Sequence, residues 1–369
     1  MRITEAFFVF VGTIIGVGIF ALPWAVKDIG LFFVFLYFAL LGAISIVIHL
    51  LFGKVCCLTK EKHRFPGYVF QYLGKKWGIL SLFSTFLGLF GAQLVYLIVG
   101  GGFLYKLFCP LLGGKELYYV LTFFALGSFL IFKGIKSISW SETLINTFFF
   151  GLLIFLLIKT AGFINPNNLS FSKFSFYPYG VILFSLWGSA VVPEIAEMLK
   201  KKEDYLKRIV ISGILFSAMI YILFIIIIVG TCGKNTTQDA LSGLVSVLGK
   251  KVLWVFYLFG VITCFTSYLT LGLTIKKVFL YDLKFKKETS FLLATGIPLL
   301  FYFFGFKNFT LILSLCGAIA IGIEGFIHIF LYRKAVALHL KQQRINPFLY
   351  FLPLFLLAGV ILEIFLILT

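Results

Sequence analysis

Residues Gly12–Pro23 read GTIIGVGIFALP, an apolar run that places Gly16 and Gly18 at mid-length and Pro23 five residues further on. Glycine in a helix interior costs about 1 kcal/mol relative to alanine. Proline removes a backbone donor and crowds the carbonyl four residues back. Close glycines also serve tight helix packing, so this run alone has two readings. A second run, LFSLWGSAVVPE over Leu183–Glu194, repeats the pattern with Ser185, Gly188, Ser189 and Ala190 ahead of Pro193. Two interrupted apolar segments at corresponding positions of two halves are the best sequence pointer to a solute site between inverted repeats.

The reason is physical. A bilayer offers no water to free backbone groups, so unwound chain survives there only where protein, solute or a wet cavity satisfies it. A break exposes N–H groups at one half-helix, which suit a carboxylate, and C=O groups at the other, which suit an ammonium or a metal cation. An α-amino acid carries both charges on one carbon. Such a site needs no charged side chain, and between Thr4 and Trp24 only Glu5 is charged.

Working outward, 61% of the 369 residues are hydrophobic, 12% are charged and the mean hydropathy is +1.08. Soluble domains run near 45–50% apolar and about 25% charged. A water-soluble enzyme, a disordered chain and a disulfide scaffold are thereby excluded. Apolar runs at 5–26, 30–53, 78–107, 117–133, 141–162, 177–199, 209–232, 251–275, 290–306, 309–332 and 347–368 give about eleven spans. The chain reads as an all-α polytopic membrane protein with a single transmembrane domain over 1–369. Five spans per half require opposite topologies, hence an inverted repeat of 5–162 and 177–334 with an extra helix at 347–368. No cleaved signal peptide is expected, because the first run is too long and further spans follow.

The net charge of +18 sets orientation. With the N-terminus inside, 23 of the 32 basic residues fall on inner segments: Arg2, the 54–76 loop, Lys133 and Lys136, 200–208, 276–287 and 333–344. The outer segments carry Lys27, Lys106, Lys115, Lys159, Lys173, Lys234, Lys250, Lys251 and Lys307. The excess therefore marks a membrane face rather than a nucleic-acid surface. FPGYVFQYLGKKWG (65–78) predicts a short interfacial helix, with Tyr68, Tyr72 and Trp77 as interface anchors. Leu241, Leu244, Val245 and Leu248 recur at helical spacing and predict a short amphipathic helix over the outer mouth. The six cysteines show no metal spacing; Cys109 and Cys232 fall at outer helix ends, and two unpaired thiols are favoured over a bridge.

GTIIGVGIFALP resembles the first-helix signature of the amino acid–polyamine–organocation superfamily. FSLWGSAVVPEI (184–195) resembles the sixth-helix pattern of its amino acid/auxin permease branch, near the bacterial aromatic amino acid permeases. The resemblance covers nearly the whole chain. It implies a leucine-transporter-type fold of five plus five inverted helices, an eleventh appended, and secondary amino acid transport by alternating access. It places Thr13, Ile14, Ile15, Gly16, Val17 and Gly18 on the unwound first helix. Phe184, Ser185, Leu186, Trp187 and Gly188 match the unwound sixth helix, with Trp187 as a wall or gate. Gln93 and Tyr96 of the third span face the substrate in this fold.

For the coupling ion two options stand. Thr266 and Ser267 resemble the hydroxyl pair that ligates sodium in sodium-coupled relatives, and hard cations take oxygen ligands. Such hydroxyls also bond to their own helix. Lys159 lies too near the outer end to act as the fifth-helix lysine of some proton-coupled relatives. A proton could instead use Glu324, with His328 one turn away on the same face; a Glu–His pair that only locks packing is the alternative. Glu194 and Glu197 read as an inner gate or a loop ion pair, and Glu363 as interfacial. Expected partners are a small amino acid substrate and the lipid bilayer of the cell membrane, with no nucleic acid, no organic cofactor and a monomer sufficing. The competing classes are a membrane-embedded enzyme such as a transferase, or a non-transporting scaffold. The histidines form no motif with a carboxylate apart from Glu324 and His328, and no phosphate-binding loop is present.

Overall fold

Without water to serve their backbone, long apolar runs must close their hydrogen bonds internally, and all eleven runs are helical. The computed structural model describes residues 3–134, 138–170, 174–341, 349 and 351–368. Arg2, Lys136, Lys173 and Arg344 lie outside the described residues, as does the side chain of Lys250. The first run forms α1 (Ile3–Ile14) and α2 (Gly18–Val26), bent by 48° at the break. Then come α3 (Leu31–Leu58), the short α4 (Phe65–Leu73), α5 (Lys75–Leu112), α6 (Glu116–Lys133) and α7 (Ile138–Thr160). The sixth run is split into α8 (Pro178–Ser185) and α9 (Val192–Met198). The remaining helices are α10 (Glu203–Cys232), α11 (Val245–Lys277), α12 (Lys287–Phe303), α13 (Phe309–Leu315), α14 (Ile321–Leu340) and α15 (Phe351–Leu368).

Seven helical segments among the described residues are long and apolar enough to cross a membrane, and eight if α1 and α2 form one bent span. The outer surface is apolar: Phe32, Phe83, Phe129, Ile158, Leu215, Leu292 and Ile361 are all more than half exposed. In water a surface of this kind would be an aggregation site; in lipid it is the solvated face. The broken helices sit inside. Val17, Leu22, Leu183 and Leu186 are fully buried, with α2 against α8, α1 against α10, and α11 packed along α5.

Segments predicted to share a side share an end. Lys54 pairs with Glu203, Lys62 with Glu197 at 2.8 Å, and Tyr72 with His339 at 2.8 Å, joining four loop regions at one basic end. At the opposite end Lys106 pairs with Asp239, and Asn168 donates to Gly230 O at 2.9 Å. All six cysteines are free thiols.

Four local expectations are corrected. The helix at 65–73 forms, but Tyr68 and Tyr72 are buried, held by core packing and by the Tyr72 bonds to Thr59 and His339. The outer loop is no continuous amphipathic helix: Leu241 and Leu244 are buried around a 3-10 turn at Ser242–Leu244, and Val245–Leu248 runs into α11 across Gly249 at φ 73°. Glu363 is buried and accepts a hydrogen bond from Ser314, because α15 packs on the tenth run rather than ending in the interface. The tenth run itself is interrupted by a π-helical turn, Cys316–Ala320. There the Gly317 backbone lies against the carbonyl of Gly180 in α8, and a Cβ at Gly317 would come within 1.8 Å of that oxygen.

Candidate functional site

The first break is a backbone event with a complete local account. The ladder ends with Ile15 N–H donating to Val11 O at 2.7 Å; Gly16 N–H then turns to Ile14 O at 2.8 Å. Val17 N–H donates to the Tyr96 hydroxyl at 3.3 Å, and Phe20 N–H picks up Val17 O to start α2. The carbonyl of Ile14, left by its helix, accepts the hydroxyl of Tyr221 at 2.6 Å. Gly18 is required by closeness: a Cβ there would meet Ser185 Oγ at 2.3 Å.

The second break mirrors it. Trp187 N–H falls back to Phe184 O at 3.1 Å, and Gly188 N–H leaves the helix to donate to His49 Nε2 at 2.9 Å. The carbonyl of Ser185 lies 3.0 Å from the same Tyr221 hydroxyl. One phenol thus serves the freed carbonyls of both breaks. Ser189 donates to the carboxylate of Glu324, which α14 presents from the far side.

Both breaks open onto one cavity of about 100 Å³. Of the residues expected at the site, Thr13, Ile14, Gly16, Gly18, Tyr96, Phe184, Trp187, Ser267 and Glu324 line it. Ile15, Val17, Ser185, Leu186 and Gly188 belong to the breaks but stand behind that lining, buried in the core. Gln93 is buried on another side of α5, facing Gly272 and Tyr268 of α11. The cavity extends from the breaks toward the basic end, where Arg64, Phe65 and Pro66 close it. Glu194 accepts there from Arg64 and from Lys277, both at 2.6 Å, tying α9 to the ends of the 59–64 loop and α11. The acids expected at a gate or loop pair are therefore both ion-paired.

The hydroxyls offered for ion binding have partners of their own. Thr266 donates to Thr263 O at 3.1 Å within its helix, and Ser267 bonds the Tyr96 hydroxyl. Ser267 and Tyr96 together connect α11 to the first break. Glu324 and His328 do not pair through their side chains: His328 Nδ1 bonds the backbone carbonyl of Glu324 at 2.8 Å, and the carboxylate turns to Ser189. The His328 ring instead stacks on Phe65 at 4.2 Å, which fixes it behind the basic-end wall.

Sequence reasoning passed over two residues that hold the breaks, Tyr221 and His49. A signal for each existed. A buried hydroxyl or imidazole at mid-depth of an apolar run needs a polar partner, and only another helix can supply it.

The sequence matches the family described as transmembrane amino acid transporter protein over residues 1–368. No curated protein matches it. Among solved structures, one similar fold is MhsT in complex with L-phenylalanine, at 15% identity and a TM-score of 0.70, covering 99% of this chain and 98% of that one. Another is Mhp1, a nucleobase-cation-symport-1 family transporter in a closed conformation with bromovinylhydantoin bound, at 14% identity and a TM-score of 0.70, covering 94% of this chain and 80% of that one. At such identities the likeness is one of fold: a multi-pass helical transporter architecture with broken helices at its centre. Together with the family match over nearly its full length, this means that the chain belongs to the transmembrane amino acid transporter family.

Proposed function

We propose that the chain is a secondary active amino acid transporter, a symporter that couples solute movement to a sodium or proton gradient. The observation that carries this reading is the Tyr221 hydroxyl set between Ile14 O and Ser185 O, which holds two unwound helices face to face over one cavity. Opposed breaks present the N-terminal end of α2 to an α-carboxylate and the carbonyl ends of α1 and α8 to an α-ammonium. Thr13, Ile14, Ile15, Gly16, Val17 and Gly18 with Phe184, Ser185, Leu186, Trp187 and Gly188 form that frame. Tyr96 and Trp187 bound the side-chain region, and Gln93 supports α5 from behind. For coupling, Thr266, Ser267 and first-break carbonyls are the sodium candidates, and Glu324 is the proton candidate.

The chain crosses the cell membrane eleven times in this reading, with α7, α12 and α15 completing the count and the basic end inside. Repeats 5–162 and 177–334 are inverted, and 347–368 is an addition. Alternating access follows from α1–α2, α3, α8–α9 and α10 rocking against α5, α6, α11 and α12. The Arg64–Glu194–Lys277 cluster is the inner gate. The deciding experiment is uptake of mixed labelled amino acids by proteoliposomes under a sodium or a proton gradient, imposed separately. Saturable accumulation under one gradient is expected. Well-folded protein that accumulates no amino acid under either overturns the proposal.

A further inference from the structure

We propose that His49 is the site at which a coupling proton binds, and that a proton there releases the backbone N–H of Gly188 to the solute carboxylate. This rests on the transport reading above and names its ion.

The geometry assigns the ring's protonation. His49 Nδ1 lies 2.6 Å from Ser45 O, a carbonyl with no proton to give, so Nδ1 carries the hydrogen. Nε2 lies 2.9 Å from Gly188 N, which has a hydrogen to donate, so Nε2 presents its lone pair. Both bonds hold only for the neutral ring with its proton on Nδ1. A proton added to Nε2 takes that lone pair, turns the acceptor into a donor and sets two N–H groups against each other. Gly188 then loses its partner, and no helical carbonyl replaces it, because Phe184 O is already taken by Trp187 N–H. A buried orphan N–H is costly, so the segment must find another acceptor. The carboxylate of a solute at the break is one, and the imidazolium adds attraction for it. Proton and solute then each favour the other's binding, which is the thermodynamic content of symport. The step forms one N–H bond from a proton of the bulk phase and breaks it on release; no other reagent takes part.

The surroundings fit a transient cation. Trp187 meets the His49 ring edge-to-face at 4.9 Å and Phe10 does so at 5.9 Å, supplying aromatic surface that favours imidazolium. Trp187 also lines the cavity, so a change at His49 reaches the solute wall directly. From α14 the titratable groups facing this region are His328 and Glu324; the latter holds Ser189, the next residue of the break. From α9 and α10, Glu194, Glu197 and Glu203 are engaged by basic-end cations, and Tyr221 is committed to two carbonyls. On α8, Tyr179 points away toward Gly359 of α15.

The test uses His49→Gln, whose amide oxygen can accept from Gly188 but does not titrate. In proteoliposomes the variant is expected to keep solute counterflow while accumulation driven by a pH gradient falls at least about tenfold. Wild-type affinity should rise about tenfold from pH 8 to pH 5, and the variant's should stay flat. Gradient-driven accumulation by His49→Gln equal to wild type overturns the proposal. So does a wild-type protein that transports with sodium alone, which leaves the transport reading intact. Should the variant lose counterflow too, the wild-type protein decides by itself. The fluorescence of Trp187, isolated by difference from Trp187→Phe, is expected to be quenched as His49 takes its proton, and a signal unchanged from pH 8 to pH 5 overturns the proposal.

Discussion

The hydroxyl of Tyr221 donates to the carbonyl oxygen of Ile14 at 2.6 Å, from a side chain with no exposed surface. Because the same oxygen sits 3.0 Å from Ser185 O, one proton is shared between the ends of α1 and α8. Tyr221→Phe keeps the ring and its packing and removes only that donor. Leaving buried carbonyls without a partner costs about 1–3 kcal/mol. The expected outcome is a modest loss of thermal stability and a fall in uptake of about tenfold or more, measured by melting in detergent and by proteoliposome uptake. Unchanged uptake would show that the hydroxyl does not organise the breaks.

Gly18 admits no side chain, since a Cβ already meets Ser185 Oγ at 2.3 Å and Ser185 Cβ at 3.0 Å. Gly18→Leu wedges α2 from α8 at the centre of the site. Uptake should be abolished in vesicles while the protein still purifies as a monodisperse species. Normal uptake by this variant would displace the site from the breaks.

Thr266 and Ser267 discriminate between the coupling ions. Replacing both by alanine removes the two hydroxyls proposed for sodium and frees Tyr96 from Ser267. If sodium couples here, sodium-stimulated uptake is lost while sodium-independent counterflow persists. Full sodium stimulation in the double variant excludes this site.

At the opposite end, Asp239 gives a pH dependence with a definite sign. Burial works to raise its carboxyl, but Lys106 and the hydroxyls of Ser242 and Thr237 outweigh it and hold the group below its ordinary value. A depressed carboxyl contributes stability that is present above the unfolded-state value, near pH 4, and is lost as pH falls through the lower folded-state value. Melting temperature in detergent should therefore drop on acidification below about pH 4, and Asp239→Asn should lower it by about 2 °C at pH 7 while flattening that acid limb. Parallel acid limbs in the two proteins would remove the pair from the stability account.

The helices were legible because a bilayer leaves apolar runs one structural option. The breaks were legible because Gly16, Gly18, Gly188 and Pro193 are costly in unbroken helix. What holds the breaks was not. Tyr221 lies in the run IYILFIIIIV, where a tyrosine reads as one more aromatic, and periodicity says nothing of a helix buried on several sides. Gln93 was expected at the substrate, yet the turn of α5 that brings Tyr96 to the break sends Gln93 toward α11. Glu324 was read with His328 from their one-turn spacing, but Ser189 across the gap offers the carboxylate a donor that a neutral His328 bonded to its own helix does not. Local spacing reports neighbours within a helix; the decisive contacts here are between helices.

The seat of Gly317 on the carbonyl of Gly180 joins α8 to the π-helical turn of the tenth run with no side chain between them. Rotamer changes cannot absorb motion at such a joint. Any tilt of α8 must either be transmitted to α13 and α14 or lift the two backbones apart. The outer half of the second broken helix is thereby geared to the helix that carries Glu324, and a larger residue at position 317 would act as a chock in that gear.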